Sequence, residues 1–291
     1  MLRIQSKMQE RQRAALQACT HLARKLGIEC TRPRVLHDAN NTVVHLAPAP
    51  VVAKVATTTI RPEAAASLEF EMSVATYLAP RGAPIAPPTS EPPPGPHDQS
   101  GFTITLWEFI ASREEDSPQP ADLADALGRF HRAFQGYRSD LPSFRSYVER
   151  AGSVLHQPTL LPTLSDEDRR FLMSVYERAV PFLDSLETPA QPLHGDPHLD
   201  GNILLSARGP LFVDLEAACS GPVEWDLTSL GQDVAKAYPG ANVNLARSLS
   251  SVRSLCVSTW CWMQPGRSPG VDEAARFHLR LLHQRDGSLF S

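Results

Sequence analysis

The spacing of apolar residues changes along the chain, from a helical repeat to strand-like runs. Over residues 5–26 apolar side chains lie at roughly helical intervals, and Gly27 follows the last of them. This spacing predicts an amphipathic helix that ends at the glycine. Residues 42–44 and 51–55 are instead rich in β-branched side chains and are separated by prolines, which predicts two successive antiparallel strands.

Helical spacing returns over residues 68–78, and another strand-like run follows at 102–107. Between them, eight prolines over residues 80–96 exclude a regular helix or a central strand, because proline lacks the N–H group and fixes φ. Beyond residue 120 helices dominate, and Ser165 is expected to cap one of them. A strand-rich first third followed by helices predicts a two-lobed α+β protein.

Composition narrows the class of protein. With 291 residues, 42% of them hydrophobic and 21% charged, the chain is expected to fold into a globular structure. A net charge of −4 argues against a general nucleic-acid partner. The five cysteines form no Cys-x-x-Cys pair, and no apolar run of about 18 residues appears, so we expect reduced thiols, no membrane partner and a cytoplasmic location.

The most informative stretch covers residues 193–227. Apolar runs at 203–205 and 211–213 flank an Arg-Gly-Pro turn, which predicts a hairpin with Asn202 and Asp214 at the same end. Carboxylate and amide oxygens are ligands that suit Mg²⁺. From residue 194 to residue 233 a single cation, Arg208, stands against seven carboxylates: Asp196, Asp200, Asp214, Glu216, Glu224, Asp226 and Asp233.

Three short motifs carry a resemblance to a known family: His194-Gly195-Asp196, Asn202-Ile203-Leu204, and Asp214 after an apolar run. They resemble the signature of the aminoglycoside phosphotransferase and choline kinase-like family. The resemblance implies a bilobal protein-kinase-like fold, with a small antiparallel-sheet N-lobe over residues 1–106, a hinge at 107–110, and a mainly helical C-lobe over 111–291.

The same resemblance assigns roles to individual residues. Asp196 would orient the acceptor hydroxyl and take its proton, while Asn202 and Asp214 would hold Mg²⁺ on the phosphates of ATP or GTP. Lys54 would contact the α- and β-phosphates, with Glu71 as its partner on the next helix.

Further nucleotide contacts are expected at two places. Asn40, Asn41 and Thr42 resemble the family's nucleotide-positioning turn. Residues 107–110 resemble the hinge, where backbone groups of Glu108 and Ile110 would meet the purine.

One spacing departs from the family pattern. Asn202 follows Asp196 by six residues, whereas five is usual, so one extra residue lies in the catalytic loop. An unusual backbone conformation at Gly201 would leave Asn202 as the metal ligand. Alternatively, Asp200 takes that place.

Taken together, the motifs predict an enzyme that transfers phosphate from ATP or GTP to a hydroxyl of a small molecule. The acidic stretch favours a polycationic antibiotic, an aminoglycoside, and hence a role in antibiotic resistance. Alternatives are a kinase of choline, an amino alcohol or a sugar, and a nucleotide-binding regulator without transferase activity. Residues 234–291 are net basic, which keeps a neutral or anionic acceptor open. The oligomeric state is not indicated.

Overall fold

A computed structural model describes residues 2–38, 41–57, 61–112, 118–137, 140–263 and 269–290. The chain forms two compact units: Met1–Tyr137 with Leu199–Ala218, and Arg138–His198 with Cys219–Ser291. Residues 199–218 therefore join the first unit although they follow a long segment of the second. The units divide the chain at other positions than the expected lobes, and a hinge at 107–110 stays a prediction.

The described residues form runs of short strands and runs of helices. The α-helices are α1 (Leu2–Lys25), α2 (Arg61–Leu78), α3 (Pro120–Phe134), α4 (Phe144–Leu155), α5 (Asp166–Asp184), α6 (Val223–Leu227), α7 (Gln232–Ala237), α8 (Val243–Trp262) and α9 (Pro269–Gln284). The strands are β1 (Arg34–Asp38), β2 (Asn41–His45), β3 (Val51–Ala56), β4 (His97–Gln99), β5 (Phe102–Glu108), β6 (Gln191–Leu193), β7 (Ile203–Ser206), β8 (Gly209–Phe212) and β9 (Cys219–Gly221).

The first unit is built on an antiparallel sheet of order β1-β2-β3-β5-β4. Its central strand β3 pairs with β2 and β5 and places Lys54 opposite Val43 on one side and Thr105 on the other. Both neighbours supply the backbone partners that keep a central strand rigid. The strands predicted at 42–44, 51–55 and 102–107 are confirmed.

Helix α1 covers this sheet with the small apolar face that its sequence predicts. Ala15, Ala18 and Leu22 are fully or almost fully buried and share one core cluster with the strands β2, β3 and β5. The helix ends as expected, because Gly27 adopts a φ of 71° and Ile28 N–H donates to Ala23 C=O at 2.9 Å.

The predicted hairpin forms from β7 and β8, with Ile203 opposite Phe212. Its open end is extended by a further hydrogen bond, in which Val213 N–H donates to the Asn202 carbonyl at 3.0 Å. Asn202 therefore lies directly beside the backbone that leads into Asp214. The expectation that the hairpin brings these two residues to one end is confirmed.

The second unit consists mainly of helices. Ser165 caps α5 as predicted, since its hydroxyl accepts the Asp168 N–H at 3.0 Å. Phe144 of α4, Trp225 of α6 and Leu249 of α8 belong to one buried cluster. An antiparallel N-terminal sheet with a helical C-terminal part confirms the α+β fold class. No helix in the described part of the chain has the length and apolar character to cross a membrane.

Candidate active site

Lys54 is the centre of a charged cluster in the first unit. Only 7% of the residue is exposed, and its ammonium lies 2.8 Å from Glu71 Oε2, 2.9 Å from Asp214 Oδ1 and 2.6 Å from Glu216 Oε1. Strand β3, helix α2 and the segment after β8 thus converge on one cation. The expected pairing of Lys54 with Glu71 is present, and contact of either residue with a nucleotide stays a prediction.

Burial and charge act in opposite directions on these groups. Burial acts to lower the pKa of Lys54, but Glu71, Asp214 and Glu216 together outweigh it and raise that pKa, so the ammonium stays charged. For Glu71 burial dominates and raises the pKa to about 7, against the lowering effect of Lys54. One ammonium faces three carboxylates, which leaves the cluster short of positive charge.

The backbone at Asp214 is strained. With φ 63° and ψ 67° it adopts the left-handed conformation, which residues other than glycine rarely occupy. The conformation is held from α2, because Leu215 N–H donates to Glu71 Oε1 at 3.1 Å. Such strain persists where the surrounding contacts over-determine it, and it concentrates at functional sites.

Glu216 also belongs to this cluster, although the sequence motifs predicted no role for it. It accepts hydrogen bonds from Asn41 Nδ2 at 2.7 Å and from the Ser67 hydroxyl, in addition to its ion pair with Lys54. The one sequence feature that could have indicated this role is its position two residues after Asp214. The short helical turn at Leu215–Ala217 brings both side chains to Lys54. Glu216 links β2, β3 and α2.

The cluster has the chemistry of a divalent-cation site. Carboxylate oxygens of Glu71, Asp214 and Glu216 lie within 4.8 Å of one another. The side chain of Glu71 is only 1% exposed, whereas those of Asp214 and Glu216 are 38% and 25% exposed. Asp214 and Glu216 are therefore the better candidates, and hard oxygen donors of this kind fit Mg²⁺.

Two residues of the predicted nucleotide-positioning turn have partners within the protein, and their contact with a nucleotide stays a prediction. Asn40 lies outside the described residues, and Asn41 begins strand β2, where its side chain binds Glu216. Thr42 is fully buried, and its hydroxyl donates to Asp38 Oδ1 at 2.7 Å. Both side chains thus brace the sheet and the charged cluster.

The predicted purine contacts lie at the end of β5. Glu108 N–H donates to the Pro87 carbonyl at 2.9 Å, so this group is already paired. A purine contact at Glu108 would therefore use its carbonyl oxygen. Ile110 follows the strand and is half-buried, and its backbone contact with a purine stays a prediction.

The two alternatives for the second metal ligand differ in burial. Asn202 is 7% exposed, whereas Asp200 is exposed within the turn that precedes it. Positive φ values occur at Gly195, at 90°, but not at Gly201. The extra loop residue is therefore not accommodated by a left-handed glycine, and the choice between Asn202 and Asp200 stays open.

Asp196 lies in the second unit, in the loop that follows β6. Asp226 is fully buried, and its carboxylate accepts the N–H of His194 at 2.9 Å and of Gly195 at 2.8 Å. The side chain of Asp196 is 34% exposed, with Arg253 Nη1 at 3.4 Å. The sequence patterns did not predict that Asp226 and Arg253 bind this loop, and Asp226 stood out only as one of the seven carboxylates of the acidic stretch.

Most of the acidic stretch is used internally. Asp226 binds the loop backbone, Glu224 accepts the Asn242 N–H at 2.8 Å, and Asp214 and Glu216 bind Lys54. Asp233 is exposed and pairs with Lys236 at 2.9 Å. The stretch therefore does not form one acidic surface, which weakens the argument from charge for a polycationic acceptor.

Solved structures share this fold at low sequence identity. A choline/ethanolamine kinase family protein from Mesorhizobium loti is 16% identical with a TM-score of 0.65, over 94% of this chain and 96% of that one. The amicoumacin kinase hAmiN, in complex with AMP-PNP, Ca²⁺ and Ami, is 13% identical with a TM-score of 0.65, over 91% and 93%. APH(2")-IIa in complex with gentamicin is 16% identical with a TM-score of 0.65, over 94% and 97%.

Sequence comparison identifies the family. No curated protein sequence matches the chain. Residues 31–249, more than half of the chain, match the sequence model of the phosphotransferase enzyme family. The predicted enzyme class, a phosphotransferase with an alcohol group as acceptor, is thereby confirmed at the level of the family. The chain belongs to the phosphotransferase enzyme family.

Proposed function

We propose that this chain transfers the γ-phosphate of ATP or GTP to a hydroxyl group of a small molecule. The observation that carries the proposal is the convergence of Glu71, Asp214 and Glu216 on the buried ammonium of Lys54. Phosphoryl transfer needs fixed positive charge and held metal ligands more than covalent chemistry, and this cluster supplies both kinds of group.

Each residue has a part in the proposed reaction. Lys54 binds the α- and β-phosphates, and Glu71 fixes its ammonium. Asn202 and Asp214 hold Mg²⁺, with Glu216 as a further oxygen ligand. A bound Mg²⁺ neutralises phosphate charge. Asp196 accepts a hydrogen bond from the acceptor hydroxyl, aims its oxygen and takes its proton. Asn41, Thr42, Glu108 and Ile110 complete the nucleotide site.

The first acceptor class to test is the aminoglycoside antibiotics. It is supported by likeness in fold to APH(2")-IIa, whose structure contains gentamicin. A second class, neutral or anionic hydroxylated metabolites, is supported by the excess of basic over acidic residues in the segment 234–291.

A transfer assay with γ-labelled ATP or GTP and Mg²⁺ tests the proposal. The acceptors are aminoglycosides, other hydroxylated antibiotics, choline, amino alcohols and sugars. We expect label to move to at least one acceptor, in proportion to acceptor concentration. Nucleotide binding without transfer to any acceptor would contradict the proposal and support a regulator.

A pair of variants decides between the two candidate metal ligands. We expect Asn202→Ala to raise the Mg²⁺ concentration for half-maximal turnover at least about tenfold, because an oxygen ligand is lost. Asp200 is exposed, so Asp200→Ala is expected to change this Mg²⁺ concentration by about twofold or less. The reverse order would assign the ligand to Asp200.

A further inference from the structure

Arg253 carries a buried charge that the proposed roles do not use. It lies in α8 and is 5% exposed, among largely apolar and small side chains. A buried guanidinium is costly unless its donors are paired. The groups that accept hydrogen bonds from these donors therefore indicate the role of Arg253.

The guanidinium of Arg253 binds four groups in the second unit. Nη2 donates to the Gly195 carbonyl at 2.7 Å and to the Trp225 carbonyl at 3.2 Å. Nε donates to the Thr228 hydroxyl at 3.1 Å, and Nη1 lies 3.4 Å from Asp196 Oδ1. The group also stacks on Trp225, with its central carbon 3.9 Å from the ring centroid. A planar fork with five donors suits this arrangement, whereas a lysine ammonium does not.

Arg253 completes a set of hydrogen bonds around the loop backbone. Asp226 holds the N–H groups of His194 and Gly195, and Arg253 holds the carbonyl of Gly195. The N–H of that same peptide unit, which belongs to Asp196, donates to His194 Nδ1 at 3.3 Å. Both ends of the peptide that leads into Asp196 are thereby fixed, with Gly195 at a φ of 90°.

We propose that Arg253 is the positioning residue that sets the direction of the Asp196 carboxylate. This inference rests on the proposed function, in which Asp196 aims the acceptor hydroxyl. Arg253 acts twice, through the Gly195 carbonyl and through its ion pair with Asp196 Oδ1. A displacement of about 1 Å at a reacting group can cost about 100-fold in rate, so loss of these contacts falls on turnover.

The test compares Arg253→Met, Arg253→Lys and a matched control, Arg247→Met, which changes an exposed arginine of the same helix. Methionine keeps volume over Trp225 without the donors. We expect Arg253→Met to lower kcat about 100-fold while the KM for nucleotide changes less than about threefold. Arg253→Lys should restore part of kcat, because one charged contact can form again. Arg247→Met should match the wild type.

Amide hydrogen exchange gives a readout that does not depend on activity. We expect the Asp196 amide to exchange at least about tenfold faster in Arg253→Met, with helix α8 unchanged. If methionine unfolds the protein, the same local change in Arg253→Lys supports the proposal. A kcat within about threefold of wild type in Arg253→Met, or loop exchange unchanged in both variants, would overturn it. If the wild type transfers no phosphate, the proposed function is wrong. Whether Arg253 fixes the loop around Asp196 is then decided by the amide exchange measurement alone.

Discussion

Replacing Asp196 with alanine is expected to remove nearly all phosphoryl transfer while nucleotide still binds. In the proposed reaction its carboxylate orients the acceptor hydroxyl and takes the proton, and such a group contributes about 100-fold to 10,000-fold in rate. Lys54 and Glu71, the expected nucleotide contacts, lie in the other compact unit. The measurements are kcat in the transfer assay and nucleotide affinity by calorimetry.

Two further variants make this result specific. Asp196→Asn keeps the shape beside Arg253 but removes the proton acceptor, so we expect a similar loss of kcat. Asp233→Ala removes an exposed carboxylate from the same acidic stretch and should leave kcat within about twofold. Near-normal turnover in Asp196→Ala would show that the catalytic assignment is wrong.

Replacing Lys54 with methionine is expected to lower the free energy of unfolding by about 3–5 kcal/mol. The change leaves Glu71, Asp214 and Glu216 together without their cation, and Glu71 is fully buried. Urea denaturation followed by circular dichroism measures the loss. Lys236→Met, at an exposed surface pair, should change the free energy by about 0.5 kcal/mol or less.

The loss should depend on pH in a defined direction. In the wild type, burial raises the pKa of Glu71 to about 7, although the positive charge of Lys54 acts to lower it. Without Lys54, the pKa of Glu71 is expected to rise further. A carboxyl whose pKa is raised in the folded state contributes stability at low pH that is lost as the pH rises. The deficit of Lys54→Met should therefore be larger above pH 7 than below it.

A second substitution tests the electrostatic cause. Adding Glu216→Gln to Lys54→Met removes one carboxylate charge but keeps an oxygen that can accept from Asn41. We expect the double variant to be more stable than Lys54→Met alone. Equal or lower stability would show that lost packing, and not charge, dominates.

Local sequence patterns predicted the secondary structure well. The apolar face of α1 with its terminal glycine, the β-branched runs of β2 and β3, and the hairpin β7–β8 each depend on neighbours in sequence. Side-chain periodicity and turn residues therefore suffice to identify them. The hairpin also predicted that Asn202 and Asp214 share an end, because strand pairing fixes register.

Long-range contacts could not be read in the same way. Glu216 and Asn41 are joined across 175 residues, and Arg253 meets Asp196 across 57. A glutamate after a strand or an arginine within a helix has no local signal that names its partner. The number of carboxylates in the acidic stretch likewise did not indicate that Glu224 and Asp226 are buried.

The sequence by itself determined the fold class and the family, because these depend on short, ordered patterns. The roles of the motif residues Asp196, Asn202 and Asp214 stay predictions. Only the tertiary structure added Asp214 and Glu216 to the predicted pair of Lys54 and Glu71, and placed one buried guanidinium on the loop that carries Asp196. The physical reason is that burial makes each charge depend on its neighbours in space, and those neighbours come from segments far apart in the chain.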